Sequence, residues 1–233
     1  MIDRELYMSR IRPFINSELI KVLAGIRRSG KSVMLELIKK ELVASGVEES
    51  RFISINFENL SNAHLCTADA LHNEISNRIS AIPGKAYLFF DEIQEVVNWE
   101  RCINSFRVEF DCDIYITGSN AKLLSGELST YLAGRYVEFI IYPFSFREFL
   151  KLFHTVFPNA DQREAFTRYL TDGGMPYLSN LRYAENPSRQ YLQDLYNSVV
   201  LKDVVKRNNI RDVDLLERII AYITANVGTT FSA

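Results

Sequence analysis

Cysteine and histidine are both scarce in this chain. Its three cysteines, Cys66, Cys102 and Cys112, form no C-x-x-C pair, and its three histidines, His64, His72 and His154, are scattered. These spacings exclude a zinc ribbon or a paired-thiol redox centre, and a sparse, odd set of thiols fits a reduced, cytoplasmic protein. Long apolar runs are also missing. None approaches the roughly 18 residues a membrane span needs, so no membrane partner is expected. The start, Met1-Ile2-Asp3-Arg4-Glu5, has no apolar stretch of the kind a secretory leader carries. Charge of one sign is lacking too. The net charge of −2 implies no general affinity for nucleic acid or an anionic surface, although a local basic patch stays open. No internal repeat or low-complexity tract is present.

What remains is an ordinary globular composition. The 233 residues are 47% hydrophobic and 24% charged, enough to bury a full core. The stretch that organises them is Gly25-Ile26-Arg27-Arg28-Ser29-Gly30-Lys31-Ser32. It fits the phosphate-loop pattern G-x-x-x-x-G-K-[ST] without a mismatch. The preceding Leu19, Ile20, Val22, Leu23 and Ala24 read as a strand. The following Val33, Leu35, Leu37, Ile38 and Leu42 read as a helix that stops near Gly46. Glycines permit the backbone turn, the loop amides face phosphate oxygens, and the helix start adds positive potential. Lys31 is expected at the outer phosphates and Ser32 at Mg²⁺. The expected cofactor contacts are Gly25, Ile26, Arg27, Arg28, Ser29, Gly30, Lys31, Ser32 and Val33.

The second informative stretch is Ala86 to Ile93, Ala-Tyr-Leu-Phe-Phe-Asp-Glu-Ile. Its continuous apolar run predicts a strand buried on both faces, as in a parallel sheet. It ends in adjacent carboxylates about 60 residues after the loop. Asp91 is the expected metal partner opposite Ser32, and Glu92 the residue that polarises an attacking water. Taken alone, the pair is compatible with a solvated strand end.

Other elements follow from pattern. Arg51 to Phe57 reads as a strand whose polar exit, including Asn56 and Glu58, is either a loop or a face toward the nucleotide. Thr67 to Ser80 reads as a helix, and a helix near Trp99 carries Cys102, Ile103 and Phe106, with Trp99 as a core anchor. Asp113 to Ser119 is a further buried strand. Its polar end, Thr117, Ser119 and Asn120, suits either contact with the γ-phosphate or water, or a turn capping the next helix. Lys122 to Leu132 reads as a helix and Tyr136 to Tyr142 as a strand. Arg135 between them is either structural or a positive charge for a phosphate of its own chain or a neighbour's. Residues 1–18 form an amphipathic lead-in with Leu6, Tyr7, Ile11 and Phe14 on its apolar face, either beside the adenine or covering the sheet edge. Beyond Phe144 the pattern is helical: Phe146 to Phe153, Arg163 to Leu170, Ser188 to Arg207 and Asp212 to Ala225, each stripe expected as bundle core.

These motifs resemble the AAA-type P-loop ATPases of bacteria and archaea that carry a C-terminal domain of unknown function. The matching parts are Gly-Ile-Arg-Arg-Ser-Gly-Lys-Ser, Phe-Phe-Asp-Glu-Ile-Gln, Thr-Gly-Ser-Asn with Leu-Leu-Ser-Gly-Glu-Leu, Leu-Ala-Gly-Arg, Tyr-Pro-Phe-Ser-Phe-Arg-Glu-Phe-Leu and the Gly-Gly-Met-Pro turn. The resemblance implies an α/β P-loop NTPase three-layer sandwich with a central parallel sheet of order 5-1-4-3-2, followed by a small α-helical region. It implies Walker A at Gly25 to Ser32, Walker B at Asp91 with catalytic Glu92, a sensor at Ser119 or Asn120, and Arg135 as arginine finger or sensor. Such proteins run longer, through a winged-helix-like segment and a nuclease-like domain, so a truncated chain is expected. The implied organisation is a lead-in at 1–18, an ATPase core at 19–143, a helical lid or adaptor at 144–228 and the start of the winged-helix-like segment at 229–233. The leading functional expectation is Mg²⁺-dependent hydrolysis of ATP, with ATP preferred to GTP by family likeness and a homo-oligomer possible. Alternatives are a nucleotide-gated binding module with little turnover, or a nucleic-acid-associated ATPase.

Overall fold

A computed structural model describes residues 2–119, 132–199, 204–205 and 210–228. The chain divides into two compact units, Met1–Arg189 and Gln190–Ala233. The first unit is built on a parallel sheet of five strands: β1 (Ile20–Gly25), β2 (Phe52–Asn56), β3 (Ala86–Asp91), β4 (Cys112–Ser119) and β5 (Tyr136–Ile140). Their spatial order is β2-β3-β4-β1-β5, which read from the other edge is the expected 5-1-4-3-2. Every paired neighbour runs parallel, with Gly25 beside Ser119 and Asn56 beside Asp91 in register.

Both faces of the sheet are covered, which explains the unbroken apolar run of β3. Leu88 and Phe90 belong to a core shared with Leu71 and Ile75 of α3 (Ala68–Ile79) and Ile103 and Phe106 of α4 (Trp99–Glu109). Tyr87 and Phe89 face the other core, shared with α1 (Glu5–Ile11) and α2 (Lys31–Ala44). There Phe89 stacks on Tyr115 with ring centroids 5.0 Å apart. Full burial of each such apolar side chain contributes about 1.5–3 kcal/mol. Trp99 is buried as the sequence predicts.

Helix ends follow local chemistry. Gly46 stops α2 with a left-handed φ of 95°. The Thr67 hydroxyl accepts the Ala70 amide at the start of α3. Ser145 and Glu148 form a capping box at the start of α5 (Phe146–Val156). In α5, Phe149 and Phe153 are buried against Tyr183, and α6 (Gln162–Asp172) follows. The helix expected from Ser188 begins earlier, as α7 (Glu185–Ser198). Residues 200–203 and 206–207 of that expected helix, and the expected segment 229–233, lie outside the described residues. So does the helix expected at Lys122 to Leu132, apart from Leu132, which is buried.

Two faces differ from expectation. In the lead-in, Leu6 is 63% exposed, while Met8 takes its place with Tyr7 and Ile11 against α2. Pro13 sits in a 3-10 turn, Arg12–Phe14, that redirects the chain right after α1 and sets this face. In the second unit, α8 (Val213–Ala225) buries none of its residues, and Leu215, Ile219 and Ile223 are exposed. Its helical periodicity is real, and among the described residues none of its apolar stripe is buried in a bundle core.

Candidate nucleotide site

β1 brings the chain to the carboxyl edge of the sheet at Gly25. A Cβ there would lie 2.3 Å from the carbonyl oxygen of Ile141, so glycine is required for β1 to reach this edge. The chain then turns through left-handed residues at Arg28 (φ 62°) and Gly30 (φ 101°). Arg28 adopts that region at a cost of about 1–2 kcal/mol. α2 starts at Lys31 with no side-chain cap on its first turn. Its leading amides form the kind of terminus that binds anions. Inside the loop, the Ser29 hydroxyl is buried without a hydrogen-bond partner among the described residues. Ile26, Arg28, Ser32 and Val33 are exposed on the loop and the first turn, and Arg27 is partly so.

Lys31 is buried and folds back on the loop. Its Nζ donates to the carbonyl oxygens of Gly25 (3.3 Å) and Ile26 (3.2 Å). It also lies 3.6 Å from Glu92 Oε1. β3 and β1 therefore deliver a cation and a carboxylate to one place from separate parts of the chain.

Asp91 ends β3 as a buried residue held from two sides. Its Oδ1 accepts from the Thr117 hydroxyl, and its Oδ2 accepts from Asn56 Nδ2 at 3.1 Å. Asp91 and Ser32 line one cleft of about 270 Å³, together with Val33, Glu36, Ser54 and Asn56. The strand ends at the carboxylate pair as expected, with Asp91 its last residue, because Glu92 takes a left-handed backbone (φ 55°, ψ 48°). That turn is fixed by the Glu92 amide donating to Thr117 Oγ1 at 3.0 Å. Glu92 also accepts from Gln94 Nε2. Opposite them, Arg27 Nη1 stands 3.9 Å from Glu58 Oε1, so Glu58 does reach the loop's rim.

Three expectations at the strand ends can be set beside the structure. Thr117 does not offer its hydroxyl outward. It is fully buried, and both of its hydrogen bonds serve the Asp91–Glu92 pair. Arg135 is not near the loop of its own chain. Its carbonyl accepts the amide of Ile20, at the amino end of β1, and its guanidinium donates to Asn104 Oδ1. The six residues of β1, at about 3.3 Å each, put about 20 Å between Arg135 and the loop. Arg135 therefore sits at the edge of the sheet opposite the loop of its own chain. For Ser119, the backbone is beside Gly25 in register, but its side chain and all of Asn120 lie outside the described residues.

Two contributors were assigned no role at the site from the sequence. Arg4 is buried and donates from Nη1 to the Ser29 carbonyl at 2.9 Å. Glu148 holds Arg4 Nε at 3.0 Å. The cysteines stay outside the site: burial pushes the Cys102 and Cys112 thiols up to about 12, which removes them as nucleophiles at neutral pH.

Comparison with known proteins decides the lineage. Residues 17–150 match the family model described as an AAA domain, and residues 163–233 match a domain of unknown function (DUF8612). The chain belongs to the AAA domain family. An uncharacterized protein of Haemophilus influenzae is 37% identical over 229 residues, covering 98% of this chain and 56% of that protein. Uncharacterized protein MJ1544 of Methanocaldococcus jannaschii is 32% identical over 218 residues, covering 89% and 47%. The chain thus spans about half the length of the curated relatives it matches. Among solved structures, the AAA domain chain is similar to a proline-to-glycine variant of Thermotoga maritima RuvB, with TM-score 0.55 and 13% identity over 99% of this chain and 84% of that one. It is also similar to Caenorhabditis elegans PCH-2, with TM-score 0.53 and 14% identity over 80% and 63%. At these identities the likeness is one of fold. Among the described residues, no helix of this AAA domain protein is long and apolar enough to cross a membrane.

Proposed function

We propose that this AAA domain protein binds ATP at the Gly25–Ser32 loop and hydrolyses it with Mg²⁺. The observation that carries the reading is the convergence of Lys31 with Glu92 at 3.6 Å, beside a cleft shared by Ser32 and Asp91. The residues fit the ligands. The loop has an uncapped helix start and an unpartnered buried Ser29 hydroxyl. Among the described residues, no group of three or more His, Cys, Asp or Glu forms a protein-only metal cage. Mg²⁺ suits such a setting, because it takes one or two protein oxygens and completes its shell with phosphate and water. Ser32 and Asp91 would hold it, and when bound it neutralises charge on the phosphates.

The chain's own residues have distinct tasks in this reading. The amides from Ile26 to Val33 orient the phosphates, and Lys31 leaves its carbonyl partners for the outer phosphate oxygens. Asn56 and Thr117 keep Asp91 aimed, since both donate to it. Glu92 accepts a proton from the attacking water. Ser119 or Asn120 serves as sensor, and Arg135 acts only across an interface between copies of the chain.

Titration of ATP into the parent and into Glu92→Gln, beside a phosphate-release assay, tests this. Both bind ATP with similar affinity, and the variant loses about 10²–10⁴-fold in turnover. Hydrolysis at the parental rate by Glu92→Gln removes Glu92 from the reaction. One observation favours a second reading, a nucleotide-gated module with little turnover. Glu92 is already tied to Lys31 and Gln94, so the site is poised to change partners on binding. Tight ATP binding by the parent with no phosphate release selects that reading.

A further inference from the structure

We infer that Arg4 is a positioning residue of the nucleotide loop, oriented by Glu148, and that this pair ties the loop's conformation to the start of α5. The inference rests on the loop being the ATP site and concerns two residues to which the sequence assigned no role at the site.

Arg4 is 2% exposed and uses three sides of its guanidinium. Nη1 donates to the Ser29 carbonyl at 2.9 Å, Nη2 to the Tyr142 carbonyl at 2.8 Å, and Nε to Glu148 Oε1 at 3.0 Å. The aromatic rings of Tyr7 and Phe144 flank it, 4.6 and 5.2 Å from its central carbon. Its own backbone is left-handed, with φ 47° and ψ 43°. An arginine is held so only where its surroundings over-determine it.

The contact with Ser29 acts on the loop directly. In a trans peptide, the C=O and N–H point in opposite directions. Pinning the Ser29 carbonyl toward Arg4 therefore turns the Gly30 N–H away from Arg4. The guanidinium also lies so close over Gly30 that a Cβ there would sit 3.4 Å from Nη1. Arg4 thus selects one setting of the peptide plane that leads into Lys31.

Glu148 links this setting to α5. Its Oε2 accepts the Ser145 amide and hydroxyl, both at 2.9 Å, while Oε1 accepts Arg4. One carboxylate therefore closes the cap of α5 and orients the residue that holds the loop. A loop that shifts on binding phosphate moves the Ser29 carbonyl and, through Arg4, loads or relaxes the α5 cap. Only a planar, forked cation spans these three acceptors, so lysine is no substitute.

The test uses Arg4→Lys and Glu148→Gln, with Ser145→Ala as a control that damages the same cap without touching Arg4. Two readouts are taken well below each melting temperature. The first is ATP affinity by titration. The second is amide hydrogen exchange of the 25–33 segment without nucleotide. Arg4→Lys and Glu148→Gln are expected to weaken ATP binding about tenfold and to speed loop exchange at least severalfold. Ser145→Ala lowers the melting temperature and, because Arg4 keeps its carboxylate partner, moves both readouts clearly less than Glu148→Gln does. If Arg4→Lys does not fold, Glu148→Gln against Ser145→Ala carries the test. Loop exchange at the parental rate in the folded variants overturns the inference, as does an equal effect from Ser145→Ala. A parent that binds no ATP sinks the proposed function instead, and loop exchange still decides the role of Arg4.

Discussion

Two lysine–carboxylate pairs lie at opposite edges of the same sheet, and they behave differently. At the amino edge, Lys21 and Asp113 are paired with side chains that are 0% exposed. Every side of this pair is used: Asp113 also accepts the Asn16 amide and the Tyr115 hydroxyl, each at 2.8 Å, and Lys21 donates to the Ser17 carbonyl. The Tyr115 ring lies under the ammonium, 4.9 Å away. Burial pulls the Lys21 ammonium below its usual range while Asp113 opposes that, and burial with Asp113 pushes the Tyr115 phenol up. At the carboxyl edge, Lys31 and Glu92 stand 3.6 Å apart beside a cleft, a left-handed turn and an unpartnered hydroxyl. The same residue types make a closed structural knot at one edge and an unsaturated site at the other. What separates them is whether the hydrogen-bonding capacity is already spent.

The sharpest way to break that comparison is to cut each pair. Asp113→Ala strands a buried ammonium and should cost about 3–5 kcal/mol of stability in urea unfolding. Replacing both partners, Lys21→Met with Asp113→Leu, should return most of that loss, because no charge is left unpaired. A double variant as unstable as the single one would mean that the knot contributes more than charge pairing. Lys31→Ala should do the reverse. Its unfolding midpoint stays near the parent's, while ATP affinity falls about 100-fold, or about 2.7 kcal/mol.

A middle case sharpens the contrast. Thr117 is buried like the knot but serves the site. Thr117→Val leaves the Glu92 amide and one Asp91 oxygen unsatisfied, so it should cost about 1–3 kcal/mol and reduce turnover together. Loss of stability alone would assign Thr117 to the core. The smallest effect concerns Glu138 on β5, whose Oε1 is buried without a hydrogen-bond partner among the described residues. Burial holds its pKa above the usual carboxylate value. A raised carboxylate pKa means that its favourable contribution is present below the unfolded value and is lost as pH rises through the folded one. Glu138→Gln should therefore raise the melting temperature slightly at pH 8 and leave it unchanged at pH 4. A gain at pH 4 instead would refute the sign.

The sheet, and the elements that carry the candidate site, were largely readable from the chain because they are written locally. A strand buried on both faces shows as an unbroken run, Ala86 to Phe90, and the phosphate loop shows as fixed glycines before a lysine. The position of Arg135 was also within reach of reasoning. A residue just before a parallel strand lies at the sheet's amino edge, away from where the loops carry chemistry. Arg4 and Glu148 were not readable. Their contact joins residues 144 positions apart, and the capping box that Glu148 completes with Ser145 points to nothing beyond its own helix. The left-handed turn at Glu92 was hidden for a similar reason, since the Thr117 hydroxyl that fixes it comes from the next strand. The stripe on α8 shows the opposite failure: its period gives a helix, but the period does not say what covers it.

The most direct test of the central claim, that Ser32 and Asp91 hold Mg²⁺ against nucleotide on the loop, is calorimetric. ATP is titrated with Mg²⁺ and with chelator into the parent and into Asp91→Asn. Mg²⁺ is expected to tighten ATP binding to the parent by about tenfold, or about 1.4 kcal/mol, and Asp91→Asn to abolish this difference while still binding metal-free ATP. Equal tightening by Mg²⁺ in both proteins would contradict it.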